Sequence, residues 1–91
     1  MANVIITLKI MPDSPKTGLE TIKSKAKKII AQSGGEVGKE AFEPAAFGLK
    51  AIKLIFIRDE EKGGTDEIEK KIKDLKGVAS TEVVDVRRAL G

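Results

Sequence analysis

Two short stretches of this chain carry side chains suited to gripping another molecule. The first is Pro44-Ala45-Ala46-Phe47-Gly48, which stands immediately before the most apolar run in the sequence. Pro44 donates no backbone hydrogen bond and suits a strand end or an edge. Gly48 accepts positive φ at no steric cost, so Phe47-Gly48 reads as the bend that turns an outer strand back into a central one. A phenylalanine there either packs down into the core or stands out into solvent. Which way Phe47 points is the functional question of the chain. The second stretch is the pair Arg87-Arg88 near the end of the chain. Arginine suits bidentate contact with carboxylate or phosphate. Charges near a chain end are commonly frayed, but this pair follows directly from a strand, which would hold the guanidinium groups in position.

Covalent chemistry is poorly provided for. The chain has no histidine and no cysteine. The commonest general base, the commonest transition-metal ligand and the thiolate nucleophile are therefore all missing. The carboxylates gather in Asp59-Glu60-Glu61 and on the second helix, where a solvated surface explains them. Acylphosphatase chemistry needs an arginine in the first loop and an asparagine on the sheet; residues 11–18 hold no arginine, and the only asparagine is Asn3. Gly63-Gly64-Thr65 precedes a helix, yet Asp66 and Glu67 would repel a phosphate from that end. No enzyme activity, cofactor or metal is expected.

RNA binding is the alternative from another class, through Lys23, Lys27 and Lys16 around the first helix. RNA-recognition domains stack bases on aromatics of the two central strands. Here the first strand has none and the third offers only Phe56. A small-molecule-sensing domain that dimerises through its sheet is a third reading. No direct contact with nucleic acid is expected.

Ninety-one residues suit one domain over 1–91 with a single two-layer core. The net charge of +3, from 17 basic and 14 acidic residues, is too mild to demand a nucleic-acid partner. No apolar run approaches the roughly 20 residues needed to span a bilayer, and nothing resembles a leader. A cytoplasmic location is expected.

The elements that must position these groups follow from periodicity. Val4, Ile6, Leu8 and Ile10 alternate along a first strand with one buried face. Pro12-Asp13-Ser14-Pro15 stops it. Thr17 to Glu20 fits a capping box, with a start at Ser14 equally permitted. Leu19, Ile22, Ala26, Ile29 and Ile30 form a helical stripe that Ser33-Gly34-Gly35 ends. Residues 36–46 read as an irregular edge strand and 49–57 as an interior strand. Residues 58–64 form a charged loop. Thr65 caps a second helix with Ile68, Ile72 and Leu75 inward, Gly77 ends it, and residues 78–86 make the last strand.

The order β-α-β-β-α-β predicts a ferredoxin-like α+β sandwich: two helices on one face of a four-stranded antiparallel sheet of order 4-1-3-2. In that topology the Phe47-Gly48 bend lies at one end of the sheet and Arg87-Arg88 at the other. A small ligand could not touch both, but a large protein could.

Three segments now carry a resemblance over essentially the whole chain. They are Pro44-Ala45-Ala46-Phe47-Gly48-Leu49-Lys50-Ala51-Ile52, Gly64-Thr65-Asp66, and Val84-Asp85-Val86-Arg87-Arg88. In this order and length the chain resembles the archaeal elongation factor 1-beta family. That resemblance implies exchange of GDP for GTP on elongation factor 1-alpha, the GTPase that carries aminoacyl-tRNA to the ribosome. In the eukaryotic relatives a phenylalanine in the bend packs against one domain of the GTPase, and a basic residue near the C-terminus disturbs the magnesium site of another. By matching position Phe47, with Pro44 and Gly48, would be the first anchor. Arg88, with Arg87 and Asp85 beside it, would be the second. The eukaryotic cation is a lysine one residue from a terminal apolar residue, whereas Arg88 here precedes Ala89-Leu90-Gly91. The acidic N-terminal extension of the eukaryotic protein has no counterpart, so a minimal exchange domain is expected.

Overall fold

Alternation builds the centre of the sheet. In β1 (Asn3–Pro12) the side chains of Ile6, Leu8 and Ile10 are buried, and in β3 (Lys50–Asp59) those of Ile52, Leu54 and Phe56 lie on the same face. A computed structural model of the chain describes residues 3–14, 16 and 18–89. Its sheet runs β2-β3-β1-β4, with β2 spanning Glu36–Pro44 and β4 Val78–Ala89. Every neighbouring pair is antiparallel. Read from the other edge this is the order 4-1-3-2 expected from the sequence. With both helices against one face, the fold is the ferredoxin-like sandwich.

The helices α1 (Leu19–Gln32) and α2 (Asp66–Lys73) close the core. Ile22, Ala26 and Ile30 descend from α1 and Ile68 and Ile72 from α2 onto the six central-strand side chains. Each fully buried aliphatic chain of this kind contributes about 1.5–3 kcal/mol, so the core rather than the short helices sets the stability. Thr17, half of the expected capping box, lies outside the described residues. Gly18 occupies the N-cap with extended backbone and no side-chain cap. Thr65 does sit at the N-cap of α2, but its hydroxyl caps no backbone N–H and lies 3.5 Å from the Glu69 carboxylate.

The end of α1 is tightly specified. Gly34, at φ 89°, donates its N–H to Ala31 O, and Gly35 donates to Ile30 O at 2.9 Å. This pair of bonds satisfies the last helical carbonyls and turns the chain into β2. A methyl on Gly35 would lie 2.7 Å from the Ile30 side chain. Only glycine lets the backbone pass so close.

Several boundaries differ from the sequence reading: α2 stops at Lys73, so Leu75 lies beyond the helix and Gly77 is not its end. The edge strand stops at Pro44, and a bulge between Val37 and Lys39 gives it the expected irregularity. The interior strand runs on to Asp59, so Arg58 belongs to β3 and not to the charged loop. The last strand runs on to Ala89, so Arg87 and Arg88 are paired ladder residues opposite Ile5 and Val4. Central-strand pairing is what extends both: each added residue lies in register opposite a residue of β1, which periodicity read one strand at a time does not reveal.

Candidate functional site

The β2–β3 connection is a tight turn closed by the Ala45 N–H donating to Leu49 O at 2.8 Å. At the tip of this three-residue loop Phe47 (φ 60°, ψ 32°) and Gly48 (φ 74°) both have left-handed backbone. Glycine accepts this freely. Phenylalanine does so at a cost of about 1–2 kcal/mol. The ring recovers none of it by burial, since Phe47 is 93% exposed. The two directions left open by the sequence are thereby resolved: Phe47 stands out into solvent. Pro44, exposed, is the last residue of the edge strand and pairs with Lys50.

Strand register fixes the other end. Val4 of β1 lies between Arg58 of β3 and Arg88 of β4. These positions share the helix-side face of the sheet, where Arg58 reaches the end of α1. Ile5 lies between Ile57 and Arg87 on the open face. Alternation therefore sends the two adjacent arginines to opposite faces. Arg87 stays on the open face with Asp85, its Nε donating to Oδ2 at 2.9 Å. Arg88 turns to the helix side, where its Nη2 donates to Glu60 Oε1 at 2.9 Å. Asp85 and Arg87 thus form one group and Arg88 with Glu60 another. From Lys50, beside the Phe47 turn, to Arg58, beside Val4 and Arg88, β3 spans roughly 27 Å at about 3.3 Å per residue. The aromatic and the cation occupy opposite ends of the sheet.

One residue at the cationic end escapes sequence reasoning. Arg58 is only 8% exposed. Its guanidinium donates from Nη1 to Gly63 O (2.9 Å) and Gly64 O (3.0 Å). Nη2 donates to Lys62 O and Nε to Ser33 O, both at 3.3 Å. Among the described residues its partners are carbonyls, one of them at the negative end of α1. The double glycine after a charged run was the available signal, because such a loop can turn several carbonyls inward.

Two lysines of α1, Lys23 and Lys27, are paired intramolecularly. Lys23 Nζ lies 3.0 Å from both Glu20 and Glu40, and Lys27 Nζ 2.8 Å from Glu40. The ammonium groups of Lys27 and then Lys23 hold the Glu40 carboxyl below its ordinary 4.5. Glu40 and then Glu20 raise Lys23 above its ordinary 10.5. Lys23 also lies 5.2 Å from the centre of the Phe42 ring, within cation–π range. Phe56, the aromatic that an RNA-stacking sheet would have displayed on strand 3, is 1% exposed in the core. Among the described residues no group of His, Cys, Asp and Glu could hold a metal ion, and no helix is long and apolar enough to cross a membrane.

Comparison with known proteins bears directly on this geometry. The model of the EF-1 guanine nucleotide exchange domain matches residues 5–89. That span includes the Phe47 turn and Arg88. The chain is 43% identical over 90 residues to a protein named elongation factor 1-beta from Methanobrevibacter smithii, covering 99% of this chain and 100% of the relative. It is 45% identical over 93 residues to the protein of the same name from Aeropyrum pernix, covering 97% of this chain and 98% of the relative. The family model and the near full-length likeness agree with the fold: the chain belongs to the family of EF-1 guanine nucleotide exchange domains.

Proposed function

We propose that this chain promotes release of GDP and loading of GTP on elongation factor 1-alpha, by holding that GTPase at both ends of its sheet. The observation that carries the reading is the strained ring of Phe47, kept in solvent at one end of a rigid sheet whose other end fixes Arg88 by strand pairing. Left-handed strain in a bulky side chain that packs against nothing makes sense if a partner buries it. An aromatic knob of this kind suits a hot-spot role. Pro44 and Gly48 shape the turn that presents it. Family membership supplies the partner class.

Nucleotide is held to such GTPases partly through Mg²⁺ bridging its phosphates to the protein. A guanidinium driven into that neighbourhood opposes the metal and pairs with its carboxylate ligands. The factor then binds the empty GTPase better than the loaded one, and nucleotide affinity must fall by the same factor. GTP refills the site by its higher concentration. Arg88 is the residue assigned this part, with Arg87 and Asp85 adding to the contact from the opposite, open face of the sheet. No bond is made or broken, so a chain without His or Cys is adequate, and the factor is not an enzyme in the chemical sense. The site of action is the cytoplasm, where translation proceeds.

Stopped-flow release of a fluorescent GDP from the GTPase tests this. Wild type is expected to accelerate release, and Phe47→Ala and Arg88→Ala should each lower kcat/KM about 30-fold or more, the effect of losing a hot spot worth about 2 kcal/mol. No acceleration by wild type rejects the exchange reading. Full activity in both variants rejects the residue assignments.

A further inference from the structure

We propose that Glu60 is a rate-setting counter-ion for Arg88: the GTPase must take the guanidinium away from this carboxylate before the cation can act. The inference rests on the exchange reading and concerns a residue that reading leaves unused.

The contact joins two backbones that are each held in place. On one side Arg88 is locked opposite Val4 in the β1–β4 ladder. On the other, Glu60 begins the short turn Glu60–Lys62, whose start is fixed by the Glu61 N–H donating to Asp59 Oδ1 at 2.9 Å. The far end of the turn is tied down, because Arg58 donates to the carbonyls of Lys62, its last residue, and of Gly63 and Gly64 beyond it. The Lys62 side chain also lies against Gly34, where even a Cβ would clash with it. Arg58 is therefore a positioning residue, and through it the end of α1 holds Glu60 beside Arg88.

A carboxylate in that place opposes the action assigned to Arg88. An arginine already paired with an acid carries little net field toward a metal site. Its full charge appears only when the pair opens. Both partners retain access to water, with side-chain exposures of 66% for Arg88 and 37% for Glu60, so the pair is weak enough to be exchanged. Exposed pairs of this type contribute about 0.2–1 kcal/mol, which corresponds to roughly a 1.4- to 5-fold effect on an equilibrium or rate. Arg87 does not share this control, because its acid, Asp85, lies two residues away on its own strand and on the other face.

The test is GDP release measured with wild type, Glu60→Gln, Arg88→Ala and the double variant, the last two at raised factor concentration. Glu60→Gln keeps the shape and removes the charge. It is expected to raise kcat/KM about 2- to 5-fold. In the Arg88→Ala background the same substitution should change nothing, a coupling that a merely structural role for Glu60 would not produce. A fall or no change on Glu60→Gln overturns the proposal, as does an equal gain when Arg88 is absent. Wild type that fails to release GDP defeats the exchange reading itself, which separates the two failures.

Discussion

Phe47 gives the fold nothing in return for its strain. A left-handed phenylalanine in full solvent lowers the stability of the free chain, and asparagine, which visits that conformation routinely, would relieve it. Phe47→Asn is expected to raise the thermal midpoint by a few degrees, the equivalent of about 1 kcal/mol or less in a domain of this size. The same substitution should lose exchange activity as Phe47→Ala does. Opposite movements of stability and activity, read by calorimetry and by GDP release, would mark the ring as kept for a partner. The ion pairs of β2 give a second expectation at this scale. Glu40 is held below 4.5 by Lys27 and Lys23, and Glu43 below 4.5 chiefly by Lys53 and then by Lys9. Both carboxyls take up protons less readily in the folded chain than in the unfolded one. Their contribution is complete above the unfolded value and disappears as pH falls through the lower folded value. Carboxyl NMR should show both titrating below 4.5, with stability declining across that acid range. Stability independent of pH there would contradict the pairing.

Arg58 makes one structural unit of the end of α1, the end of β3 and the loop 60–64. Its four bonds all end on carbonyls. Removing the guanidinium would leave those acceptors unsatisfied or open to water. Arg58→Met keeps much of the buried stem and deletes only the donors. It is expected to cost about 2–4 kcal/mol, as losses of buried, charge-assisted bonds do, and to speed amide exchange first in residues 60–64. A variant as stable as wild type, with that loop still protected, would show that the clamp contributes little. The elements themselves were largely legible in the sequence. Alternation in β1, the nearly continuous apolar run of β3, the apolar stripe of α1 and the Ser33-Gly34-Gly35 stop each act over a few residues, so their order could be read directly. The last residues of β3 and β4 were not legible. Arg58 and Arg88 look like loop and tail charges until pairing with Val4 places them in strands.

The molecule as a whole is elongated. Its long axis measures 42 Å, and the two proposed anchors occupy opposite ends of the sheet. Sites this far apart with no shared neighbours should act independently. The losses in binding free energy for Phe47→Ala and Arg88→Ala are therefore expected to add within about 0.5 kcal/mol in the double variant. Titration of the nucleotide-free GTPase by calorimetry measures this. A double loss well short of the sum would mean that one anchor seats only after the other.

Sequence by itself determined the βαββαβ order, the strand pairing, the family and the separation of Phe47 from the arginines. The family follows from the resemblance of three segments taken residue by residue; the rest follow from periodicity, turn chemistry and antiparallel direction, all of which are local or combinatorial. Tertiary structure alone decided that Phe47 faces water, that Phe56 fills the core, that Arg58 is buried and that Arg88 meets Glu60. Each of these depends on what another segment brings alongside. Arg58 finds Ser33 from 25 residues away and Arg88 finds Glu60 from 28. Contacts at such separations are set by the register of the whole sheet, and no window along the chain contains both partners.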